Sequence, residues 1–287
     1  MAAVLVTGAS RGIGLATCVS LARAGHQVYA TMRNPDQTRE LGALGRRESL
    51  PITVSTMDVD ADESVREAVN RITSNGPLDA LVNNAGIERM GSVEELGLAD
   101  FRAVMETNYF GAIRCIQAVL PSMRTRGRGC IVNVASVAGR IALSPFGPYT
   151  ASKFALEAIS EVLAQEVKAH GIRVAIVEPG IISTDMARSV SRASGPSLYP
   201  QMRRNAGLFT AALKTTRGPE LVGDRIRQII ESDSWQLRYP VGPDAEPFLG
   251  WRAAMTDAQW IDWGAAEDDA WYAAVARDFG LDARAGS

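Results

Sequence analysis

The stretch that decides the fold is AVLVTGASRGIG, residues 3–14. Its first five residues, AVLVT, form a short apolar run typical of a buried strand, and a helix-length segment begins at Gly12. Gly8, Gly12 and Gly14 allow a sharp turn between the two and bring its backbone close to a ligand. A helix that begins there presents free N–H groups and the positive end of its dipole. The stretch therefore predicts a strand, a pyrophosphate-binding turn and a helix.

The alternation of strand and helix continues along the first 180 residues. Val- and Ile-rich runs predict further strands at 26–32, 52–57, 79–82, 129–136 and 172–180, and the run at 235–242 is a candidate last strand. The helix-length segments are 12–24, 61–74, 98–123 and 149–170. Nearly continuous apolar strands are typical of a parallel sheet that is buried on both faces. We therefore predict a single-domain α/β protein with a Rossmann-type, doubly wound parallel β-sheet and helices on both faces.

The chain changes character after Gly180. Residues 183–216 are rich in Ser, Arg, Gly and Pro, and we expect a mobile flap over the substrate there rather than a second domain. The catalytic domain, including this flap, is predicted to span residues 1–246. The tail at 247–287 holds four of the five tryptophans. We expect it to form a helical extension that packs on the domain or on a partner subunit, in preference to a cofactor-binding role.

Composition narrows the class of protein. The net charge is −2, with acids and bases interspersed, which argues against nucleic-acid and anionic-membrane partners. The three cysteines lie far apart, so we expect neither a disulfide framework nor a metal site. The first strand begins too early to leave room for a signal peptide, and no apolar run reaches the roughly 18–20 residues of a membrane span. We expect a cytoplasmic protein.

The end of the second predicted strand indicates which dinucleotide fits. NAD sites usually place an acidic residue there to hold the ribose 2′-hydroxyl. Here the sequence is YATMRN, residues 29–34, with Arg33 at the tip and no acid. A guanidinium binds a 2′-phosphate, and Arg11 in the glycine turn is placed to reach the same group. Either arginine alone is more simply explained as a solvated surface residue, but the two together favour NADP(H) over NAD(H).

Tyr149 and Lys153 lie one helical turn apart in PYTASKFALEAIS, and this spacing brings the ammonium near the phenol. Lowering a phenol pKa from near 10 to about 7 requires roughly 4 kcal/mol of phenolate stabilisation, which Lys153 and a cationic nicotinamide could supply. Ser136 ends a strand 13 residues before Tyr149, at the sheet edge where such folds bind ligands. Asn108 lies within an apolar helix, where an Asn either caps locally or serves a buried site.

With these motifs in this order, the chain resembles the short-chain dehydrogenase/reductase family, in its compact single-domain branch, and its hydroxysteroid and retinol dehydrogenase members. The match runs from about residue 3 to residue 184 and includes NNAG at 83–86 and PGIIST at 179–184. The resemblance implies a catalytic tetrad of Asn108, Ser136, Tyr149 and Lys153. It also implies a cofactor site formed by Gly8, Ser10, Arg11, Gly12, Ile13, Gly14, Arg33, Asp58, Val59, Asn83, Ala85, Gly86, Tyr149, Lys153, Pro179, Gly180, Ile182 and Thr184.

The implied reaction is NADP(H)-dependent interconversion of a secondary alcohol and a ketone. By resemblance, Ser136 binds the carbonyl oxygen, Tyr149 transfers the proton, Lys153 holds the ribose and lowers the tyrosine pKa, and Asn108 anchors a relay water. A non-catalytic NADPH-binding regulatory protein would not need these groups together. An enoyl reductase of this superfamily spaces its Tyr and Lys more widely, and a scaffold protein has no use for the glycine turn.

The substrate pocket is expected to be mainly apolar and to be lined by Glu88, Met90, Val137, Phe146 and Met186. This composition favours a hydrophobic, ring-type small molecule. Members of the family are commonly dimers or tetramers. We therefore expect a homodimer or homotetramer built on the helices near residues 98–122 and 149–170.

Overall fold

A computed structural model describes residues 1–37, 39–193 and 195–286 of the chain. Its sheet has seven parallel strands in the order β3-β2-β1-β4-β5-β6-β7. The strands are β1 (Ala3–Thr7), β2 (Gln27–Met32), β3 (Ile52–Thr56), β4 (Ala80–Asn83), β5 (Gly129–Val134), β6 (Ile172–Pro179) and β7 (Arg238–Val241). The helices are α1 (Gly12–Arg23), α2 (Arg39–Glu48), α3 (Asp62–Thr73), α4 (Leu98–Met105), α5 (Gly111–Arg126), α6 (Gly147–Val167), α7 (Asp185–Ser191), α8 (Gln201–Ala212), α9 (Glu220–Glu231), α10 (Ala245–Ala253), α11 (Asp257–Ala265) and α12 (Asp268–Phe279). The predicted Rossmann-type fold is confirmed.

The central strands are mostly apolar because helices cover both faces of the sheet. Side chains alternate across a strand, so Val4 and Val6 of β1 face one helical layer and Leu5 faces the other. The first layer contains α1, α2 and α9, and the second contains α3, α5 and α6. All three β1 side chains are fully buried. This double cover explains why the strands lack a polar alternation.

The ligand crevice follows from the strand order. The chain winds outward from β1 to β3 and then returns to β4, on the other side of β1. The loops after β1 and β4 therefore diverge, and a crevice opens between them at the carboxyl edge of the sheet. The glycine turn, the NNAG segment, Ser136 and the PGIIST segment all follow strands at that edge. The strand order and the parallel pairing thus bring the predicted motifs to one place.

Several elements differ from the sequence predictions. Helices α2 and α9 were not predicted, and the segment predicted as one helix at 98–123 is α4, a π-helical turn at Glu106–Phe110, and α5. The segment 183–216, predicted as a flap without assigned helices, contains helices α7 and α8. Its apolar residues, such as Leu208, pack against Trp271, Tyr272 and Val275 of α12. Ser194 within the flap and Ser287 at the end of the tail lie outside the described residues.

Two further structural facts bear on the expectations from composition. Among residues 1–37, 39–193 and 195–286, no helix combines the length and the apolar character required to cross a lipid bilayer. Cys18, Cys115 and Cys130 are all buried and free. Burial raises the pKa of the Cys130 thiol to about 11, so it stays protonated and unreactive at neutral pH.

Candidate active site

The glycine turn has the geometry of an anion cradle. Gly8 and Gly12 have φ angles of 65° and 55°, which L side chains rarely adopt. Helix α1 begins immediately afterwards, with no acid in its first turn and no side chain capping its N–H groups. These free donors and the helix dipole suit a pyrophosphate.

The turn is held to the end of β4 by two residues that the sequence reasoning missed. The Thr7 hydroxyl accepts hydrogen bonds from the backbone N–H groups of Asn84 and Ala85, both at 3.0 Å. The Asn84 side-chain amide donates to the carbonyl oxygens of Thr7 and Gly8, at 2.9 and 3.1 Å. Asn84 also lines the cavity beside the turn. The second Asn of the NNAG motif was the available signal.

Gly14 gives a prediction about this turn. A Cβ atom at this position would lie 2.3 Å from the Gly8 carbonyl oxygen and 2.5 Å from the Asn84 amide nitrogen. Gly14→Ala should therefore destabilise the protein by about 1–3 kcal/mol through overpacking and weaken the binding of a dinucleotide, measured by thermal unfolding and by ligand fluorescence. The control is Gly250→Ala, where a Cβ meets nothing within 4 Å. Equal behaviour of the two variants would show that the turn is not tightly packed.

A cavity of about 380 Å³ extends from this turn across the carboxyl edge of the sheet. It brings together most of the residues predicted for the cofactor, the substrate and the reaction. Those that line it are Gly8, Ser10, Arg11, Gly12, Ile13, Arg33, Asp58, Val59, Ala85, Gly86, Glu88, Ser136, Val137, Phe146, Tyr149, Lys153, Pro179, Gly180, Ile182, Thr184 and Met186. Such convergence of distant segments on one cavity is expected of a functional site.

Four predicted residues do not line the cavity: Gly14, Asn83, Met90 and Asn108. Asn83 is buried, and its amide donates to the Asn133 side chain at 2.8 Å, so it braces β4 against β5. Met90 lines a second, outer depression. Gly14 and Asn108 lie behind the cavity wall. Gly14 is part of the packed glycine turn, and Asn108 acts through its hydrogen bonds.

Asn108 fixes the loop that follows β4. It lies in the π-helical turn, where its amide accepts from the Ile87 N–H at 2.8 Å and donates to the Ile87 carbonyl at 2.9 Å. The same amide donates to the Ser152 hydroxyl at 2.9 Å, and Ser152 donates to the Tyr149 carbonyl at 2.7 Å. The side chain of Asn108 is therefore fully used within the protein. It ties the loop to the helix that carries Tyr149 and Lys153.

Tyr149 and Lys153 adjoin each other on α6, but the ammonium does not point at the phenol oxygen. The Lys153 Nζ atom lies 5.5 Å from the centre of the Tyr149 ring and donates to the Val134 carbonyl at 2.8 Å. Burial lowers the pKa of Lys153 to about 8. Ser136, from the loop after β5, presents its hydroxyl in the same cavity and accepts from the Ala138 N–H at 3.1 Å.

The protein's own residues leave the Tyr149 phenol protonated at neutral pH. Burial raises the pKa of Tyr149 to about 12, an effect that the Ser136 hydroxyl opposes and the nearby Glu88 carboxylate reinforces. Lys153 alone therefore does not bring the phenol towards pH 7, because its charge is buried and directed at Val134. The residues by themselves hold Tyr149 as a neutral proton donor, the form that reduction of a carbonyl group requires.

A carboxyl pair behind Lys153 is a second feature that the sequence reasoning missed. Glu157 lies one turn after Lys153, and burial raises its pKa to about 7, with the charge of Glu178 adding to the effect. Glu178 is fully buried and lies 3.5 Å from the Arg140 guanidinium. Arg238 of β7 pairs with Glu157 at 2.9 Å. The charge of Glu157 in turn favours the protonated form of Lys153.

The far end of the cavity is formed by the C-terminal tail. We call this surface the aromatic wall, and its members are Phe248, Trp251, Trp260, Trp263 and Phe279. Trp260 and Trp263 are stacked with ring centres 5.4 Å apart, and Trp251 meets both edge-on. The sequence reasoning gave the tryptophans a packing role only. Trp271 does pack in this way, whereas the wall faces the cavity.

The sequence of the chain matches one protein family and several known proteins. A model of the short chain dehydrogenase family matches residues 2–195. The chain is 32% identical over 265 residues to oxidoreductase BOA17 of Botryotinia fuckeliana, covering 90% of this chain and 95% of that protein. It is 42% identical over 205 residues to retinol dehydrogenase 8 of Bos taurus, covering 69% of this chain and 65% of that protein.

Solved structures agree with the sequence relatives. A short-chain dehydrogenase from Streptomyces avermitilis superposes with a TM-score of 0.77 at 32% identity, over 92% of this chain and 97% of that one. A gluconate 5-dehydrogenase from Burkholderia cenocepacia, in complex with NADP and tartrate, gives 0.74 at 26% identity, over 85% and 95%. The family model, these likenesses and the shared cavity lead to one conclusion: the chain belongs to the short-chain dehydrogenase/reductase family of oxidoreductases, which act on alcohol and carbonyl groups.

Proposed function

We propose that the protein is an NADP(H)-dependent oxidoreductase that interconverts a hydrophobic, ring-type secondary alcohol and the corresponding ketone. The observation that carries this proposal is the meeting of Ser136, Tyr149 and Lys153 with the glycine turn in one cavity. A non-catalytic nucleotide-binding protein has no need of an acid, a hydroxyl donor and a lysine in that arrangement. Acid–base chemistry beside a dinucleotide site accounts for all of them.

The residues present fit a phosphorylated nicotinamide dinucleotide. The uncapped start of α1 and the left-handed glycines suit the pyrophosphate. Arg11 and Arg33 line the same end of the cavity, both exposed, and β2 ends without an acid that would repel a 2′-phosphate. The NADP complex of the Burkholderia relative supports this choice. When bound, the reduced cofactor supplies the hydride that converts the carbonyl carbon to a carbinol.

The chain's own residues perform the proton chemistry. Ser136 donates a hydrogen bond to the substrate oxygen and stabilises its developing negative charge. Tyr149 gives its phenolic proton to that oxygen in the reduction direction and accepts it in the oxidation direction. Lys153 binds the ribose hydroxyls and favours the phenolate once the proton has left. The Asn108 side chain is occupied by Ile87 and Ser152, so it positions the site, and only its backbone carbonyl could hold a relay water.

The aromatic wall supports a ring-type substrate. Large aromatic side chains bury extensive area, and they prefer stacked or edge-on partners, as the wall residues already show among themselves. Val137, Phe146 and Met186 extend the apolar lining towards Tyr149. The chain is also similar to a protein named retinol dehydrogenase, and retinol is an apolar alcohol. This similarity supports the same substrate class.

Trp260 provides a test of the wall. Trp260→Leu should reduce kcat/KM for 2-acetylnaphthalene about ten-fold, since a lost aromatic contact costs about 0.5–1.5 kcal/mol beyond the buried area, and should change kcat/KM for 2-butanone much less. Trp235→Leu is the matched control, because Trp235 is exposed and lies outside the cavity. An equal loss on both ketones would show that Trp260 does not contact the ring.

The proposed activity is tested by following NADPH oxidation with the purified chain against a panel of ring ketones, acyclic ketones, sugars and acyl thioesters. We expect turnover of the ring ketones. Turnover of small polar sugars or acyl thioesters alone would contradict the proposed substrate class, and NADPH binding without any turnover would contradict the enzyme assignment.

The proposal also covers the oligomeric state of the protein and the cellular compartment in which it acts. Phe110, Phe154 and Val162 are large apolar residues that are 44%, 41% and 45% exposed on or beside α5 and α6. Exposed apolar residues on these helices support a homodimer or homotetramer built there. The free, buried cysteines support a reducing compartment such as the cytoplasm.

A further inference from the structure

Glu88 is a half-buried acid in the cavity, and the proposed reaction does not use its charge. It lines the main cavity, as Tyr149 does, and it also lines the outer depression. Throughout the part of the chain that the structure describes, no group donates a hydrogen bond to its carboxylate, and Arg89 bonds only to its backbone carbonyl. A half-buried carboxyl group without a partner in the protein is available to accept a hydrogen bond from a bound molecule.

The backbone next to Glu88 is held by hydrogen bonds to Asn108. Its neighbour Ile87 is clamped by both polar atoms of the Asn108 amide, at 2.8 and 2.9 Å. On the other side, Arg89 donates to the Glu88 carbonyl at 2.9 Å and pairs with Asp100 at 3.4 Å. The carboxyl group is therefore presented to the cavity from a fixed loop, as a preorganised recognition group requires.

We propose that Glu88 is a specificity-determining residue that accepts a hydrogen bond from a substrate hydroxyl on the carbon next to the reacting carbonyl. This assignment rests on the proposed function. Glu88 and Tyr149 line the same cavity, so one bound substrate can contact both the Glu88 carboxyl group and the Tyr149 phenol. The preferred substrate is then an apolar α-hydroxy ketone. NADPH gives a hydride to its carbonyl carbon and becomes NADP⁺, Tyr149 gives a proton to its oxygen, and the product is a vicinal diol.

The charges around Glu88 favour a neutral hydroxyl over an ammonium group. The outer depression is lined by three arginines, Arg89, Arg188 and Arg192, and by two acids, Glu88 and Asp185. Its net charge is therefore positive, and it repels a cationic substrate that enters. Burial raises the pKa of Glu88 to about 7, an effect that the Arg89 charge opposes. Glu88 is therefore partly protonated at neutral pH, and a buried ion pair with an ammonium would have to offset two desolvation costs.

The test compares benzoin with deoxybenzoin, two ketones that differ only in the α-hydroxyl group. With the wild-type chain and NADPH, kcat/KM should be roughly ten- to one-hundred-fold higher for benzoin, the range expected for a hydrogen bond to a carboxylate. In Glu88→Leu this ratio should fall to about one. The exposed-acid variant Glu166→Gln, on the distant part of α6, should keep the wild-type ratio.

The pH dependence separates recognition from a merely structural role. Tyr149 and Lys153 act on both ketones alike, so their titration cancels in the ratio. The wild-type ratio should rise as pH increases through about 7, because the carboxylate is a stronger acceptor than the carboxylic acid. Glu88→Gln, which has the same shape and does not titrate, should give a smaller ratio that is independent of pH. This variant carries the test if Glu88→Leu fails to fold.

Three results overturn the assignment while leaving the proposed function intact. They are a wild-type ratio near one, an unchanged ratio in both Glu88 variants, or a preference of the wild type for desylamine, the amino analogue, over benzoin. By contrast, an absence of NADPH oxidation with every ketone would contradict the proposed function itself.

Discussion

Tyr149→Phe is expected to lower kcat for ketone reduction by about 10²–10⁴-fold, the usual contribution of a general acid. The substitution removes the phenolic proton that Tyr149 gives to the substrate oxygen, and it leaves the aromatic ring in place. Because burial holds the pKa of Tyr149 near 12, the phenol is protonated throughout the neutral range. The wild-type reduction rate should therefore not fall as pH is lowered from about 8 to 6, and the variant should be slow at both values.

The control for this prediction is Tyr199→Phe. Tyr199 is 40% exposed, bonds to Glu94 and lies outside the cavity, so its loss should not change kcat. Thermal unfolding of both variants should match the wild type within a few degrees, which separates lost chemistry from lost folding. A Tyr149→Phe variant that keeps more than a tenth of the wild-type rate would remove Tyr149 from the proton transfer.

Arg33→Asp is expected to change the cofactor. Each charge-assisted hydrogen bond to a 2′-phosphate contributes about 1.5–3 kcal/mol, and the new carboxylate both repels the phosphate and can accept from a 2′-hydroxyl. The ratio of kcat/KM with NADPH to kcat/KM with NADH should fall at least about one-hundred-fold. Steady-state kinetics with the two cofactors and one ketone measure it.

Arg46→Asp is the matched control, because Arg46 is an exposed arginine at the end of α2 and does not line the cavity. It should leave the NADPH-to-NADH ratio within about a factor of two, since exposed charges interact weakly through water. If Arg33→Asp also leaves the ratio unchanged, Arg33 does not contact the phosphate, and Arg11 is then the remaining candidate.

The fold and the centre of the site were predictable because their signals are local. AVLVTGASRGIG contains its own strand, turn and helix start, and the other motifs each follow a strand that ends at the same sheet edge. Parallel pairing then brings Ser136, Tyr149 and Lys153 together without further information. The sheet and the family were confirmed for this reason.

The features that escaped prediction depend on contacts between distant segments. Asn83 and Asn84 are adjacent in sequence, and only the register of β4 with β5 decides that Asn83 braces the sheet while Asn84 holds the glycine turn. Helix α8 packs against helix α12, which lies more than 50 residues later in the chain. The sequence around α8 does not reveal this partner, so the helix was not predicted. The aromatic wall likewise required the path of the tail back to the cavity.

The pKa of Tyr149 depends on burial as well as on its neighbours in sequence. The YxxxK spacing predicts that Lys153 is near Tyr149, which the structure confirms, but spacing carries no information about burial or direction. The Nζ atom donates to Val134, and desolvation then dominates the pKa of the phenol. The neutral phenol fits the reduction direction.

Transfer of deuterium from NADPH deuterated at both C4 positions to 2-acetylnaphthalene tests hydride transfer to a ring ketone most directly. The alcohol formed by the wild-type chain should carry one deuterium on its carbinol carbon, as read by mass spectrometry and NMR, and Tyr149→Phe should form almost none of this product. Cofactor oxidation without a labelled alcohol, or equal labelling by the two proteins, would contradict the account.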